Sequence, residues 1–244
     1  MPLRTAAVPA LSAIPGLVHG FEQRAPCDGT ETAGESRTRV ARALEGSGRL
    51  LLLEQVHGSA VVEAPWEGTP RADAAVAAAP GWLLGVQTAD CLPVLLVDPG
   101  RRLVAAAHAG WRGTAAGIAA RAVEALVARG SRPEDLVAAL GPAVGACCYE
   151  VGEELREAFG PSGAASFRAG PRGRPHLDVR AANERQLLGA GLRAAALHHV
   201  ADCTRCRGDL YHSYRRDGRA AGRMISFVGF CTDHSRDRPA GRAS

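Results

Sequence analysis

The chain has 244 residues, 46% of them hydrophobic and 22% charged, with a formal net charge of +4, a composition ordinary for a soluble globular protein long enough to bury a sizeable core. All 29 basic residues are arginine, and no basic run is interleaved with aromatics, so the positive charge is not a nucleic-acid footprint. No run reaches the roughly 20 apolar residues of a membrane span, and the seven cysteines, at 27, 91, 147, 148, 203, 206 and 231, are an odd set with one adjacent pair, which points to a reduced, cytoplasmic chain rather than a disulfide framework.

The opening "MPLRTAAVPALSAIPGLVHGF" carries prolines at 2, 9 and 15 and lacks the unbroken apolar core of a signal peptide. A polar loop is expected over 26–36, then a short helix in "RTRVARALEG" ending at Gly46. "RLLLLEQVHGSAVVEA" reads as a strand, a turn at His57 and Gly58, and a second strand, whereas "ADAAVAAAPG" is too uniform to assign. "WLLGVQTADC" is a strand running into Cys91. "LPVLLVDPG" and "RRLVAAAHAG" flank a tight turn at Pro99 and Gly100 and should pair as a hairpin. Thr114 is the expected N-cap of a helix whose Ile118, Ala122, Ala125 and Leu126 share one face, and Arg129, Gly130 and Pro133 mark its end. "LVAALGPAVG" returns as a strand, "EVGEELREAFG" is a short helix, and "HLDVRAANERQLLGAGLRAAAL" begins extended and becomes a longer helix. A turn at Asp217 and Gly218 precedes the last strand, "RMISFVGF". This order, with neither repeat nor linker, predicts the α+β class: one domain over 1–231, with mixed and hairpin-rich β-sheets flanked by helices, and a disordered tail over 232–244. A monomer is the default expectation.

Three residues stand where apolar runs stop: His57 after "RLLLLEQV", Cys91 after "GWLLGVQTAD" and His108 after "LVAAA". Strands of common polarity in one sheet would deliver all three to one edge. Two imidazoles and a thiolate suit Zn²⁺, and three protein ligands leave a fourth position for water, as in catalytic sites. Asp90, Asp73 and Gln87 are placed to orient the imidazoles. Two other readings of the same residues stay open. Each His can cap a turn while Cys91 packs as a small hydrophobe, or Cys91 can be a metal-free nucleophile with His108 as its base. Asp90, adjacent to the thiol, should raise the thiol pKa and so favours the metal over the nucleophile. The separations of 34 and 17 residues do not decide among these.

The words "QVHG" at 55–58, "TADC" at 88–91 followed by "PVLLVDP", "AAHAGWRG" at 106–113, "GPAVGACCYEVG" at 141–152, "HLDV" at 176–179 and "SYRRDG" at 213–218 occur in that order. Together, over about residues 18–230, they resemble the YfiH family, also known as the peptidoglycan editing factor, laccase-domain polyphenol oxidase and YfiH-like purine nucleoside phosphorylase family. The resemblance implies a metal site, catalytic as well, at His57, Cys91 and His108, holding zinc, with copper as the second expectation. It implies phosphorolysis of adenosine, inosine, guanosine and methylthioadenosine, and deamination of adenosine; alternatively, removal of L-serine wrongly incorporated in UDP-MurNAc. A copper phenol oxidase is disfavoured: it needs many paired histidines, and the eight here include no His-x-His. A non-catalytic zinc- or partner-binding protein is a further alternative. The segment "HGFEQRAPCDGTETAGES" is shorter than in family members and lacks their "GGVS"-like and "SLN"-like words, which bears on substrate scope.

Small-molecule substrates are therefore expected, a purine nucleoside with phosphate or a UDP-MurNAc-amino acid, and neither nucleic acid nor membrane. Arg112 is expected to take a phosphate or carboxylate, with Trp111 walling the pocket and Gln87, Asp73 and Tyr149 also at the substrate. The helix start at Gly113 and Thr114 offers free N–H groups to an anion. Cys203 and Cys206 form a CxxC that reads as incidental, as a redox pair, or as a knuckle with Cys231 and His212. Cys147 and Cys148 read as packing residues, Glu150 as a pocket edge, Arg215, Arg216 and Asp217 as a solvated hairpin, and His198 with His199 as a solvated helix end.

Overall fold

Alternation along the strands sorts the apolar side chains of this chain into three packed layers. The computed structural model describes residues 3–25 and 33–232. Among them, a six-stranded sheet runs edge to edge through Leu197–His199, Val137–Leu140, Leu92–Asp98, Leu103–Ala109, Ala74–Ala77 and Val61–Glu63, and a five-stranded sheet through Thr5–Ala6, Leu17–Glu22, Met224–Phe230, Trp82–Thr88 and Arg49–Leu52. Three pairings are parallel, those of 197–199 with 137–140, 61–63 with 74–77 and 49–52 with 82–88; the remaining pairings are antiparallel. The expected hairpin forms between Leu92–Asp98 and Leu103–Ala109, with Pro93 opposite His108. The class is α+β, as the order of elements predicts.

Leu95, Val97, Val104 and Ala106 face Leu84, Val86 and Val228 of the other sheet, whereas Val94, Leu96, Ala105 and Ala107 face the helices Ile118–Val127 and Val179–Gly189. On the far side of the five-stranded sheet, Val40 and Leu44, in and just after helix Ala33–Ala43, pack on Leu83, Ile225 and Phe227. Each such buried Leu, Val or Ile contributes about 1.5–3 kcal/mol on leaving water. That burial makes strands of the alanine-rich stretches 74–77 and 103–109, which have little β propensity of their own.

Several boundaries depart from expectation. Helix Ala33–Ala43 begins within the expected loop, so residues 33–36 are helical; residues 26–32 lie outside the described residues. Thr114 is not an N-cap. The helix starts a turn earlier as Trp111–Ala115 behind Gly110, Gly117 at φ +78° breaks it, and Ile118–Val127 follows. Thr114 is buried inside, its hydroxyl accepting from Asn183 Nδ2 at 2.9 Å. Residues 214–217 are a short helix, Tyr214–Asp217, capped by the Ser213 side chain and followed by the 3-10 turn Gly218–Ala220, not a hairpin. His198 and His199 belong to edge strand Leu197–His199, not to a helix end. Of the expected tail, all but Thr232 lies outside the described residues.

Among the described residues the chain passes between the two sheets at 53–60, 78–81, 89–91 and 200–223. All of these crossovers but 78–81 contribute walls to one cavity.

Candidate metal and substrate site

His57 lies in the crossover at 53–60 and Cys91 in the one at 89–91. His108 lies inside strand Leu103–Ala109, on the face turned toward the other sheet. The expectation of three donors at the edge of one sheet therefore fails. They meet because the chain changes sheets beside the buried face of a strand in the second.

Asp73 fixes two of the donors. It is fully buried, and its carboxylate accepts the backbone N–H of Val56, His57 and Gly58 at 3.2, 2.9 and 2.6 Å. These bonds hold the turn in which His57 adopts φ +60°. The same carboxylate lies 2.8 Å from His108 Nδ1. An acceptor there places the ring proton on Nδ1 and leaves Nε2 for a ligand. Asp90, at φ +92°, is held by Thr204 Oγ1 and the Arg215 N–H, both donating at 2.6 Å.

The donor atoms of His57, Cys91 and His108 lie within 4.8 Å of one another. The imidazole centroids are 4.8 Å apart, nearly perpendicular. Gly110 leaves room for this: a Cβ there would sit 3.0 Å from His57 Cδ2 and 3.1 Å from Cys91 Sγ. Removal from water works against ionisation of the Cys91 thiol, but His108 and His57 outweigh it and bring the thiol down to about 6. Burial likewise opposes the His108 cation, yet Cys91 and Asp73 lift it to about 9. Asp90, expected to raise the thiol, is not among the leading influences on it, and the net shift is downward. Two imidazoles with an ionisable thiol, one ring already oriented by a carboxylate, are a donor set that fits zinc with one position left open.

His57 and Cys91 open into a cavity of about 830 Å³, within the range of small-molecule sites. Gln87, Trp111, Arg112 and Tyr149 line it, as do Arg37, Gln55, Tyr214, Arg215 and Arg223. Asp73 lies behind the donors instead. The Arg112 guanidinium stacks over Trp111 at 4.3 Å from the ring centroid and makes no protein hydrogen bond among the described residues. Arg215 stacks over Tyr149 at 4.8 Å and donates to the Glu150 carbonyl. Arg37 donates to Gln87 Oε1, and Gln87 is locked to Gln55 by two hydrogen bonds through its backbone. Burial pushes the Tyr149 phenol up to about 12, so it stays protonated.

Sequence reasoning missed Arg37 and Arg223, which no local motif marks, and gave no role to Gln55 and Tyr214, although they stand in the words "QVHG" and "SYRRDG". It grouped Arg215 with Arg216 and Asp217; the structure separates them, with Arg215 on the cavity and Arg216 bonded to Asp217 and to the carbonyls of Thr204 and Tyr211. Cys203 and Cys206 do not meet Cys231, whose thiol is buried and donates to the Gly16 carbonyl. They stand with Cys147 and Cys148 instead.

The fold and the site define an α+β protein, built on two large sheets, with an imidazole–thiol trio able to hold a metal beside an arginine-lined cavity. The family described as multi-copper polyphenol oxidoreductase laccase matches residues 23–231. The chain belongs to this family, the YfiH family of the sequence resemblance. A protein named purine nucleoside phosphorylase from Deinococcus radiodurans is 42% identical over 203 residues, 83% of this chain and 79% of its own. A protein named adenosine deaminase RL5, from an unknown prokaryotic organism, is 40% identical over 170 residues, 68% of this chain and 64% of its own. The crystal structure of YlmD from Geobacillus stearothermophilus superposes with a TM-score of 0.83 at 30% identity, covering 95% of this chain and 97% of that one. Within the described residues, no helix is long and apolar enough to cross a membrane.

Proposed function

We propose that this chain is a zinc-dependent purine nucleoside enzyme, which cleaves adenosine, inosine, guanosine or methylthioadenosine with phosphate and deaminates adenosine. The observation that carries this reading is the convergence of His57 and Cys91, with the buried His108 beside them, and of Arg37, Arg112, Arg215 and Arg223 on one cavity. Similarity to proteins named for these two activities supports it.

When bound, zinc would be held by His57, Cys91 and His108 and would supply Lewis acidity at the reacting atom. The chain's own residues do the rest. Arg112 offers an unengaged guanidinium to phosphate, which it can grip through two parallel hydrogen bonds. Arg215 and Arg223, each tied to backbone carbonyls, hold further positive charge in fixed places. Trp111 and Tyr149 give flat walls for a purine. The protonated Tyr149 hydroxyl can donate to a ring nitrogen of the leaving base. Asp73 keeps the His108 ring from turning.

The deciding experiment incubates purified protein with adenosine, with and without phosphate, and separately with UDP-MurNAc-L-serine. Adenine and ribose 1-phosphate appearing with phosphate, and inosine without it, are the expected products. Serine release in place of both would select the amide hydrolase, for which the same arginines would hold the diphosphate. No product in any arm defeats both readings. Cys91→Ala should abolish turnover and remove the zinc held by this trio together.

A further inference from the structure

Outside the cavity described above, four more cysteines meet. Cys147 and Cys148 lie in a turn in which the N–H groups of Cys148 and Tyr149 both donate to the Gly145 carbonyl. Cys203 and Cys206 lie in a second turn, closed by Arg207 N–H to the Cys203 carbonyl at 2.9 Å. A bridge pairs Ala143 with Cys203 and sets the turns side by side. All four sulfur atoms lie within 4.8 Å of one another, with Cys206 Sγ 3.8 Å from Cys147 Sγ and 3.4 Å from Cys148 Sγ. Four zinc–sulfur bonds of ~2.3 Å in a tetrahedron place sulfurs ~3.8 Å apart. The four thiols are thus already near the vertices of such a site.

Three further features separate this cluster from chance packing. Cys147 and Cys206 are exposed, so they are not buried as small hydrophobes. Cys203 Sγ accepts two backbone N–H groups, from Gly145 at 3.2 Å and from Cys206, its partner in the CxxC turn. Bonds of this kind stabilise a thiolate. Arg205 sits against Cys148, and Arg215 lines the same surface hollow, where Arg172 is paired with Glu150; Arg205 and Arg215 put positive charge beside what four thiolates on a divalent ion would make a dianion.

We propose that Cys147, Cys148, Cys203 and Cys206 form a second, structural metal centre that binds zinc as a tetrathiolate. Binding replaces four S–H bonds by four S–Zn bonds and releases four protons to solvent, with no change of oxidation state. All four positions are filled by protein, so the centre does no chemistry on substrate. Its place in the fold gives it a purpose. Thr204, between two of the ligands, donates to the Asp90 carboxylate at 2.6 Å, immediately before Cys91. Tyr149, immediately after Cys148, walls the cavity. The metal would pin both segments through a surface clip. This centre does not depend on the proposed nucleoside activity.

The test is elemental analysis of protein purified under reducing conditions. About two equivalents of zinc per chain are expected in the wild type, one for each centre. Cys203→Ser combined with Cys206→Ser should retain about one equivalent, and so should Cys91→Ala, each losing a different ion. Equal zinc content in the wild type and the double variant overturns the proposal. In case the double variant does not fold, wild-type protein is reconstituted with Co²⁺ and its alkylated thiols are mapped residue by residue. A thiolate-to-cobalt charge-transfer band that survives Cys91→Ala, with Cys147 and Cys206 protected from alkylation until a chelator is added, is the expected result. Absence of that band, immediate alkylation of both residues, or a disulfide between Cys148 and Cys206 in the reduced preparation overturns it.

Discussion

Asp73 accepts four hydrogen bonds, three from the backbone of the His57 turn and one from His108. Asparagine would keep one acceptor oxygen and turn an NH₂ group toward N–H donors. Each buried donor left unpaired costs about 1–3 kcal/mol, and losing a partner that orients a metal ligand weakens metal affinity by roughly 10–100-fold. Asp73→Asn should therefore bind zinc that much more weakly in competition with a chromophoric chelator, and should melt at lower temperature; unchanged affinity would remove Asp73 as the orienting group. His212 makes a separate residue-scale prediction. Burial lowers its pKa to about 4, with Arg24, Arg216 and Arg39 adding repulsion and Asp217 partly offsetting it. The unfolded chain binds this proton near the ordinary value of 6.5, so below that pH the unfolded state takes up a proton that the folded state refuses. Stability is intact above 6.5 and is lost as pH falls toward 4, by at most about 1.4 kcal/mol per pH unit from this group. Urea denaturation across that interval should show a shallower loss in His212→Gln, and parallel curves would exonerate His212.

At the scale of elements, the break between Trp111–Ala115 and Ile118–Val127 depends on Gly117, whose left-handed φ of +78° meets no steric neighbour. An L side chain there costs about 1–2 kcal/mol of backbone strain and nothing in packing. Gly117→Ala should lower stability by about that much in chemical denaturation and leave zinc content untouched. A loss of metal would show that the break also sets the donors. The same glycine explains a misreading of the sequence. "GWRGTAAGIAARAVEALV" has helical spacing from Ile118 onward, and Thr114 looks like its cap because nothing local shows that a first helical turn is already complete. Strands written as near-continuous apolar runs, such as Leu92–Asp98 and Met224–Phe230, were legible, and so was the small-residue hairpin, since its turn is written in Pro99 and Gly100. The three donors were found as the polar residues that end apolar runs. Their meeting place was not, because parallel alignment in one sheet and crossover between two sheets leave the same local pattern. Arg37, from helix Ala33–Ala43, and Arg223, just before the last strand, reach the cavity through pairings between distant segments, and arginines as frequent as these carry no local mark of that. The partners of the CxxC were four dozen or more residues away, and the adjacent cysteines that supply them had the look of packing.

For the whole molecule, a metal held by this trio would link metal binding to sheet packing. His57 and Cys91 come from crossovers between the five- and six-stranded sheets, and His108 from within the six-stranded one. A cation shared by these donors binds the assembled sandwich and has no site in the separated sheets, so it stabilises the folded state by mass action. With free zinc a hundredfold above its dissociation constant, the gain is about 2.7 kcal/mol, and a chain of this size moves its melting temperature by about 2–4 °C per kcal/mol. In the Cys203→Ser, Cys206→Ser background, where this is the remaining centre, stripping zinc with a chelator should lower the melting temperature by roughly 5–10 °C in a single cooperative transition. Adding Cys91→Ala should remove that response while leaving one transition. A chelator response that persists without Cys91, or two separate transitions after stripping, would mean that the trio does not tie the sheets together.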